Sequence, residues 1–217
     1  MIKIALPVEF NDGKQLHDAT LKLISMVSPA IAKIIHSDHN YKPFSVQLPN
    51  IVNILDPALE SVANSFTNVK ILKQLSFAEC FGGEPDKFLN LIFSRTLFRH
   101  PGASYPLPDP WNVITSWKNR WNSISPIKVT ISLPIAQDRK SARVEIQYMK
   151  IDTAKIQIAD YRPVITFSGP VKIKWLGDEK ELRELCALAK FAEFAGTGSK
   201  TTMGCGVTSI AGLAGTI

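Results

Sequence analysis

Apolar positions in the first third of the chain fall into short alternating runs around one long helical stretch. Residues 2–9, IKIALPVE, alternate as a strand does, and Asn11, Asp12 and Gly13 supply turn chemistry behind them. Leu16, Leu23, Ile24, Val27, Ile31, Ile34 and Ile35 then recur at helical spacing, which predicts one buried face over 14–35. Pro29 has no amide hydrogen to give, so the spacing predicts a kink there or two short helices rather than one straight rod. FSVQL at 44–48 and IVNIL at 51–55 read as strands, 57–65 as a weak helix and 69–77 as a further strand. The order is β-α-β-β-α-β.

A similar, less regular series follows. FLNLIF at 88–93 reads as a strand, and a loop carrying Pro101, Pro106, Pro108 and Pro110 leads into a helix over 111–122. Trp111, Ile114, Trp117 and Trp121 are assigned to one face of that helix, as core rather than as a surface for stacking bases. Strand-like runs come at 127–135, 142–149 and 164–175. Asp178, with Glu181 three residues on, then opens the clearest helix in capping-box style, with Leu182, Leu185, Leu188, Ala189 and Ala192 on one face. A last strand lies near 205–212. Two such series predict an α+β chain of tandem ferredoxin-like, RRM-like domains, divided into residues 1–86 and 87–217.

Composition narrows the class without fixing the function. The chain has 217 residues, 45% of them hydrophobic, which suits two small folded domains. Lys+Arg number 25 against 19 Asp+Glu, for a net charge of +6 and a pI near 9.2, a balance compatible with a polyanionic partner. Cys80, Cys186 and Cys205 are far apart and show no metal-ligand spacing, so no metal and no cofactor is expected. Met1 leads into an apolar run with no basic segment before it, and no apolar stretch approaches a membrane span, so the expectation is a cytoplasmic chain with no membrane partner.

The sharpest local feature is GTGSKTTMGCG at 196–206. Gly196, Gly198, Gly204 and Gly206 bracket Ser199, Lys200, Thr201 and Thr202. Repeated glycines permit positive φ, and a run of backbone N–H groups can cradle phosphate oxygens, with Lys200 adding a charge. A tightly turning connection from helix to strand explains the same composition equally well. Two familiar phosphate loops do not apply, since they lead from a strand into a helix whereas this one leaves a helix and enters a strand.

LAKFAEFAGTGSKTTMGCGV at 188–207 resembles the C-terminal signature of the CRISPR-associated repeat-processing endoribonucleases. IFSRTLF at 92–98 is similar to a mid-chain stretch of the same family, and PLPDPWNVITSWKNRWN to its proline-rich lead into a helix ending in Trp-Asn. The resemblance implies tandem ferredoxin-like domains of the RAMP type, CRISPR repeat RNA as substrate, and cleavage leaving a 5′-hydroxyl and a cyclic or 3′ phosphate. It also implies a catalytic histidine at a helix end, followed after a short loop by a lysine and a strand with phenylalanine. IIHSDHNYKPFSV fits that pattern with His36 and Lys42.

The chemistry wants these residue types. RNA cleaves when its own 2′-oxygen attacks the adjacent phosphorus, so an enzyme need only move two protons and stabilise charge on the phosphorane. His36 beside a helix C-terminus is expected as general acid and Lys42 as electrostatic clamp. Some relatives carry a tyrosine within the first helix; segment 14–35 has none, and Tyr41 or His39 is the candidate to complete the site. The expected RNA path runs over Lys172 and Lys174 on one strand face, Lys200, and Arg139, Lys140 and Arg143 around a hairpin, basic residues not obviously consumed by carboxylates. A non-catalytic RNA-binding subunit on the same domains is the alternative. Repeat RNA is the expected partner, with a homodimer or a CRISPR effector complex as further candidates.

Overall fold

The computed structural model describes residues 1–37, 42–65, 68–100, 103–133, 143–158 and 162–211. Its first half holds β1 (Ile2–Ala5), α1 (Gly13–Val27), α2 (Pro29–Ser37), β2 (Phe44–Gln47), β3 (Ile51–Ile54), α3 (Glu60–Ser65) and β4 (Lys70–Gln74). Pro29 opens α2 after a break at Ser28, so the long apolar stretch is two helices, as the proline requires. Asp12 caps α1 by accepting from the Lys14 amide at 2.8 Å. The four strands form an antiparallel sheet in the order β2-β3-β1-β4, the ferredoxin-like order.

Alternation along these strands sends Ile2, Ile4, Val46, Val52 and Ile54 into one core with Leu16 and Ile24 of α1. The opposite face carries a polar row that crosses all four strands: Ser45 and Asn53 are paired in register, Asn53 faces Lys3, and Lys3 faces Lys73.

The second half comprises β5 (Phe88–Thr96), β6 (Phe98–His100), β7 (Ala103–Tyr105), α4 (Pro110–Ile124), β8 (Val144–Met149), β9 (Asp152–Ile156), β10 (Val164–Trp175), α5 (Glu179–Ala195) and β11 (Val207–Ile210). Its antiparallel sheet runs β11-β5-β10-β8, and β9 continues along β10 beyond β8. The interruption between β8 and β9 falls opposite Gly169, where an added Cβ would lie 2.1 Å from the Lys150 carbonyl oxygen. The chain is therefore α+β, two ferredoxin-like sheets in tandem.

Leu89, Leu91, Phe93, Val171, Ile173 and Trp175 point to one side of this sheet and meet α4 and α5. Trp121 sits at the centre with edge-to-face contacts to Phe77, Phe81 and Phe191, each worth about 0.5–1.5 kcal/mol beyond its area. Phe77 and Phe81 belong to the segment joining the two sheets, so that segment is anchored in the second core.

Four expectations need correction. Trp117 and Trp121 are fully buried, but Trp111 is 45% exposed. Six residues advance a helix by about 600°, which sets Trp111 well away from the face of Trp117. The run 127–133 joins no sheet. Its backbone is satisfied by side chains instead, since Asn122 exchanges two hydrogen bonds with Val129, and the buried Glu184 carboxylate accepts from the amides of Thr130 and Ile131 at 2.7 and 2.6 Å. The proline-bearing stretch after β5 holds the β6–β7 hairpin. Finally, only half of the capping box forms: Asp178 accepts from the Glu181 amide, while the Glu181 carboxylate turns to Arg143.

Candidate active site and RNA interface

The last turn of a helix leaves carbonyl oxygens without intrahelical partners. At the end of α5 they are satisfied from elsewhere in the chain. Lys3 donates to the Glu193 carbonyl at 3.0 Å, Ser45 to that of Phe194 at 2.5 Å, and Arg120 to that of Ala195. Lys73 adds an ion pair to the Glu193 carboxylate at 2.6 Å. The polar row on the first sheet thus grips the C-terminus of α5, and two cations lie where the helix dipole favours positive charge. This seam fixes where the glycine-rich loop, which follows α5 directly, meets the first sheet.

The loop is braced rather than open. The amides of Gly196, Thr197, Ser199, Met203, Cys205 and Gly206 donate to protein carbonyls, and that of Gly198 donates to the Ser116 hydroxyl. Those seven N–H groups are therefore spent within the protein. Gly198 and Gly206 have φ of +78° and +72°, and a Cβ on them would lie 2.2 Å from the Leu97 oxygen and 2.1 Å from the Thr197 oxygen. Only glycine fits such approaches. Buried Thr197 accepts from the Trp117 indole at 2.7 Å, so α4 braces the loop as well.

Lys200 is the exception in this loop. It adopts the left-handed conformation at φ +62°, half-buried, beside Arg99 of β6 and the buried Cys205. Burial first, and then Arg99, pulls its ammonium pKa below the ordinary lysine value.

Lys42, just before β2, comes to the same place from the other sheet. Burial, then Arg120 and Lys200, lower its pKa, and it is the more deeply set of the two lysines. Between them sits Arg120 of α4. Its guanidinium donates to the Lys42 carbonyl at 3.2 Å, the Phe44 carbonyl at 2.7 Å, the Ala195 carbonyl, and the hydroxyl of buried Thr201 at 2.5 Å. Burial pushes its pKa down to about 9, which leaves it a cation at neutral pH. Among the described residues no carboxylate pairs with Arg120. Lys42, Arg99, Arg120 and Lys200 make a cationic cluster drawn from both halves of the chain, and such a cluster attracts an anion.

A cleft of about 590 Å³ lies against the glycine-rich loop, lined by Asn11, Asp12 and Gly13 at the start of α1, by Arg95, and by Gly204 and Cys205 of the loop. His17 of α1 touches the loop too, with Nδ1 at 2.9 Å from the Thr202 carbonyl oxygen. A carbonyl only accepts, so the bond places a proton on Nδ1.

The model of the CRISPR-associated endoribonuclease Cas6 family matches residues 92–208, more than half of the chain. The chain belongs to that family. No curated protein sequence matches it. Among solved structures, a Cas6 product complex is 21% identical with a TM-score of 0.77, covering 97% of this chain and 99% of its own. A second Cas6 product complex is 18% identical with a TM-score of 0.73, over 97% and 98%. The Thermus thermophilus Cas6 is 18% identical with a TM-score of 0.68, over 97% and 96%. At these identities the likeness is one of fold.

Within this Cas6-family chain, the sequence-derived candidates divide into three groups. Lys42, Lys200 and the loop residues Gly196, Gly198, Ser199, Thr201, Gly204 and Gly206 converge. His36 belongs to the last turn of α2 rather than following the helix, six residues ahead of Lys42. Lys172 and Lys174 stand on β10, away from the loop. Arg143 departs from expectation: it is held by the carboxylates of Glu181 and Asp178, the latter at 4.0 Å, because it falls beside the acidic first turn of α5. Tyr41, His39, Arg139 and Lys140 lie outside the described residues.

Arg120, Arg99 and His17 are the residues that sequence reasoning missed. A signal for Arg120 existed: it is one residue before Trp121 and three after Trp117, a charged side chain on an otherwise apolar helical face. Arg99 and His17 carried none. No described helix is long and apolar enough to cross a membrane.

Proposed function

We propose that this chain cleaves CRISPR repeat RNA by attack of the substrate's own 2′-hydroxyl, without a metal, giving a 5′-hydroxyl and a 2′,3′-cyclic or 3′ phosphate. The observation that carries this reading is the meeting of Lys42 and Lys200 around Arg120. Two ammonium groups with depressed pKa, and no carboxylate among the described residues pairing the arginine between them, fit a phosphodiester whose charge rises in the transition state. Solved Cas6 chains of this fold include product and substrate-mimic complexes, which supports RNA as the ligand.

In this reading residues 1–86 supply the chemistry and residues 87–217 supply the grip. His36 protonates the departing 5′-oxygen, its cationic form favoured by the C-terminal end of α2. Lys42 holds a non-bridging phosphate oxygen, and Lys200 with Arg99 holds the strand alongside. Tyr41 is the proposed further group at the reacting ribose.

Purified protein incubated with repeat RNA in excess EDTA should cut it, and a 2′-deoxy substitution just 5′ of the scissile phosphate should abolish cutting. His36→Ala should lower the single-turnover rate by about 10²–10⁴ while leaving affinity near its original value. Tight binding with no cleavage by the unaltered protein would instead make it an RNA-binding RAMP subunit.

A further inference from the structure

Arg95, near the end of β5, adopts φ +51°, a conformation uncommon for a residue other than glycine. Both of its backbone groups are held there: the amide donates to the Ser168 hydroxyl at 2.9 Å, and the carbonyl accepts from the Gly206 amide at 3.0 Å. The residue lines the cleft of about 590 Å³ that lies against the glycine-rich loop. Burial pushes the Cys205 thiol in the same wall up to about 11, against the pull of Arg95 and then of Lys200, so both cations stand near that sulfur. Asp12 lines the cleft from the start of α1. Its Oδ1 accepts from the Lys14 amide, and neither Asp12 nor Arg95 makes an ion pair among the described residues. A guanidinium and a carboxylate thus share one cleft without pairing, between apolar walls supplied by Leu48, Ile156, Ile158 and Met203.

We propose that this cleft takes one unpaired guanine next to the scissile phosphate of the substrate RNA, and that Arg95 and Asp12 read it. Guanine presents two acceptors, O6 and N7, to an arginine fork, and beside them the N1–H and N2 amine as donors to a carboxylate. Adenine puts an amine where the fork needs an oxygen, and uracil offers the carboxylate a single N–H. Cytosine carries a comparable run of groups, but has only one ring to lay against the apolar walls. Bases splayed out of a strand and read on these edges are the general route to sequence specificity in RNA recognition. The Cys205 amide donates to the Lys200 carbonyl at 3.2 Å, so the cleft and the cationic cluster meet at this residue. A base in the cleft and a phosphate on Lys200 therefore belong to the same nucleotide or to neighbours. The inference rests on the reading of the chain as acting on RNA, and adds which base it selects.

The test titrates guanosine, adenosine, cytidine and uridine 3′-monophosphates into the unaltered protein, Arg95→Gln and Asp12→Asn. Asparagine caps a helix as well as aspartate does, so the second variant keeps α1 in place. The unaltered protein should bind the guanosine nucleotide about tenfold tighter than the other three, within the discrimination that one bidentate contact provides. Each variant should lose most of that preference while keeping its affinity for the other three nucleotides. In repeat RNA, adenine in place of the guanine beside the scissile phosphate should lower kcat/KM of the unaltered protein about tenfold, and that of the variants far less. Equal affinity for the four nucleotides, or a preference for cytidine, overturns the inference even if repeat RNA is cut. So does an equal loss for all four in Arg95→Gln, which would make Arg95 a phosphate contact. A guanosine preference lost in both variants, with repeat RNA left uncut by the unaltered protein, would support the cleft and sink the nuclease reading alone.

Discussion

The Arg120 guanidinium donates to the backbone carbonyl of Lys42 at 3.2 Å, so a side chain of α4 in the second half sets the position of a candidate catalytic lysine in the first. The same group holds Phe44, Ala195 and Thr201. Arg120→Met should leave four acceptors without a donor, at about 1 kcal/mol each. Thermal unfolding should fall by about 8–16 °C, and single-turnover cleavage at a temperature where the variant is folded should fall at least tenfold. A variant with unaltered cleavage would mean that Lys42 is held by something else.

The pH dependence follows from Lys42. Burial, then Arg120 and Lys200, disfavour its charged form, so its proton leaves at lower pH than that of an ordinary lysine. The charged form is the one that clamps phosphate, hence activity is present on the acid side of this pKa and is lost as pH rises through it. In a profile of kcat/KM, which reports the free protein, the alkaline limb should set in below the usual lysine value of about 10.4. Lys200→Met removes one repelling charge and should move that limb to higher pH. A limb that stays in place would show that Lys42 is not the group responsible.

Glu184 is buried and accepts from the Thr130 and Ile131 amides and the Thr130 hydroxyl, the last at 3.1 Å. Glu184→Ala strands two backbone donors inside the protein, with an expected loss of about 3 kcal/mol in denaturant unfolding. A loss below about 1 kcal/mol would mean that the 127–133 segment finds other partners.

Gly198→Ala forces a methyl group to 2.2 Å from the Leu97 oxygen at a residue with positive φ. The loop has to shift, and Lys200 moves with it. RNA binding should weaken, and hydrogen exchange should rise at the amides of Ser199 and Gly206, which are bonded to β5 and its continuation. Wild-type exchange at both amides would argue that the loop tolerates the change.

The order and type of most elements were legible because each rests on a local rule. Short apolar runs marked β1–β3, helical spacing marked α1 and α5, Pro29 marked the break between α1 and α2, and Asp178 marked the start of α5. The glycine-rich loop was visible for the same reason, since positive φ favours glycine wherever the chain goes next. Local rules failed at 127–133, where a strand-like run found side chains of α4 and α5 rather than a ladder, and at Arg143, whose carboxylate partners lie more than thirty positions away.

Which cations meet was settled by tertiary structure. The sequence alone specified Lys42 and Lys200 as separate candidates, one after an apolar helix and one inside a glycine-rich loop. Their convergence depends on the polar row Ser45, Asn53, Lys3 and Lys73 receiving the end of α5, and on Arg120 closing over both. Those contacts exist only after both sheets have formed, because the orphaned carbonyls of a helix terminus take whichever donors the packed chain brings within reach.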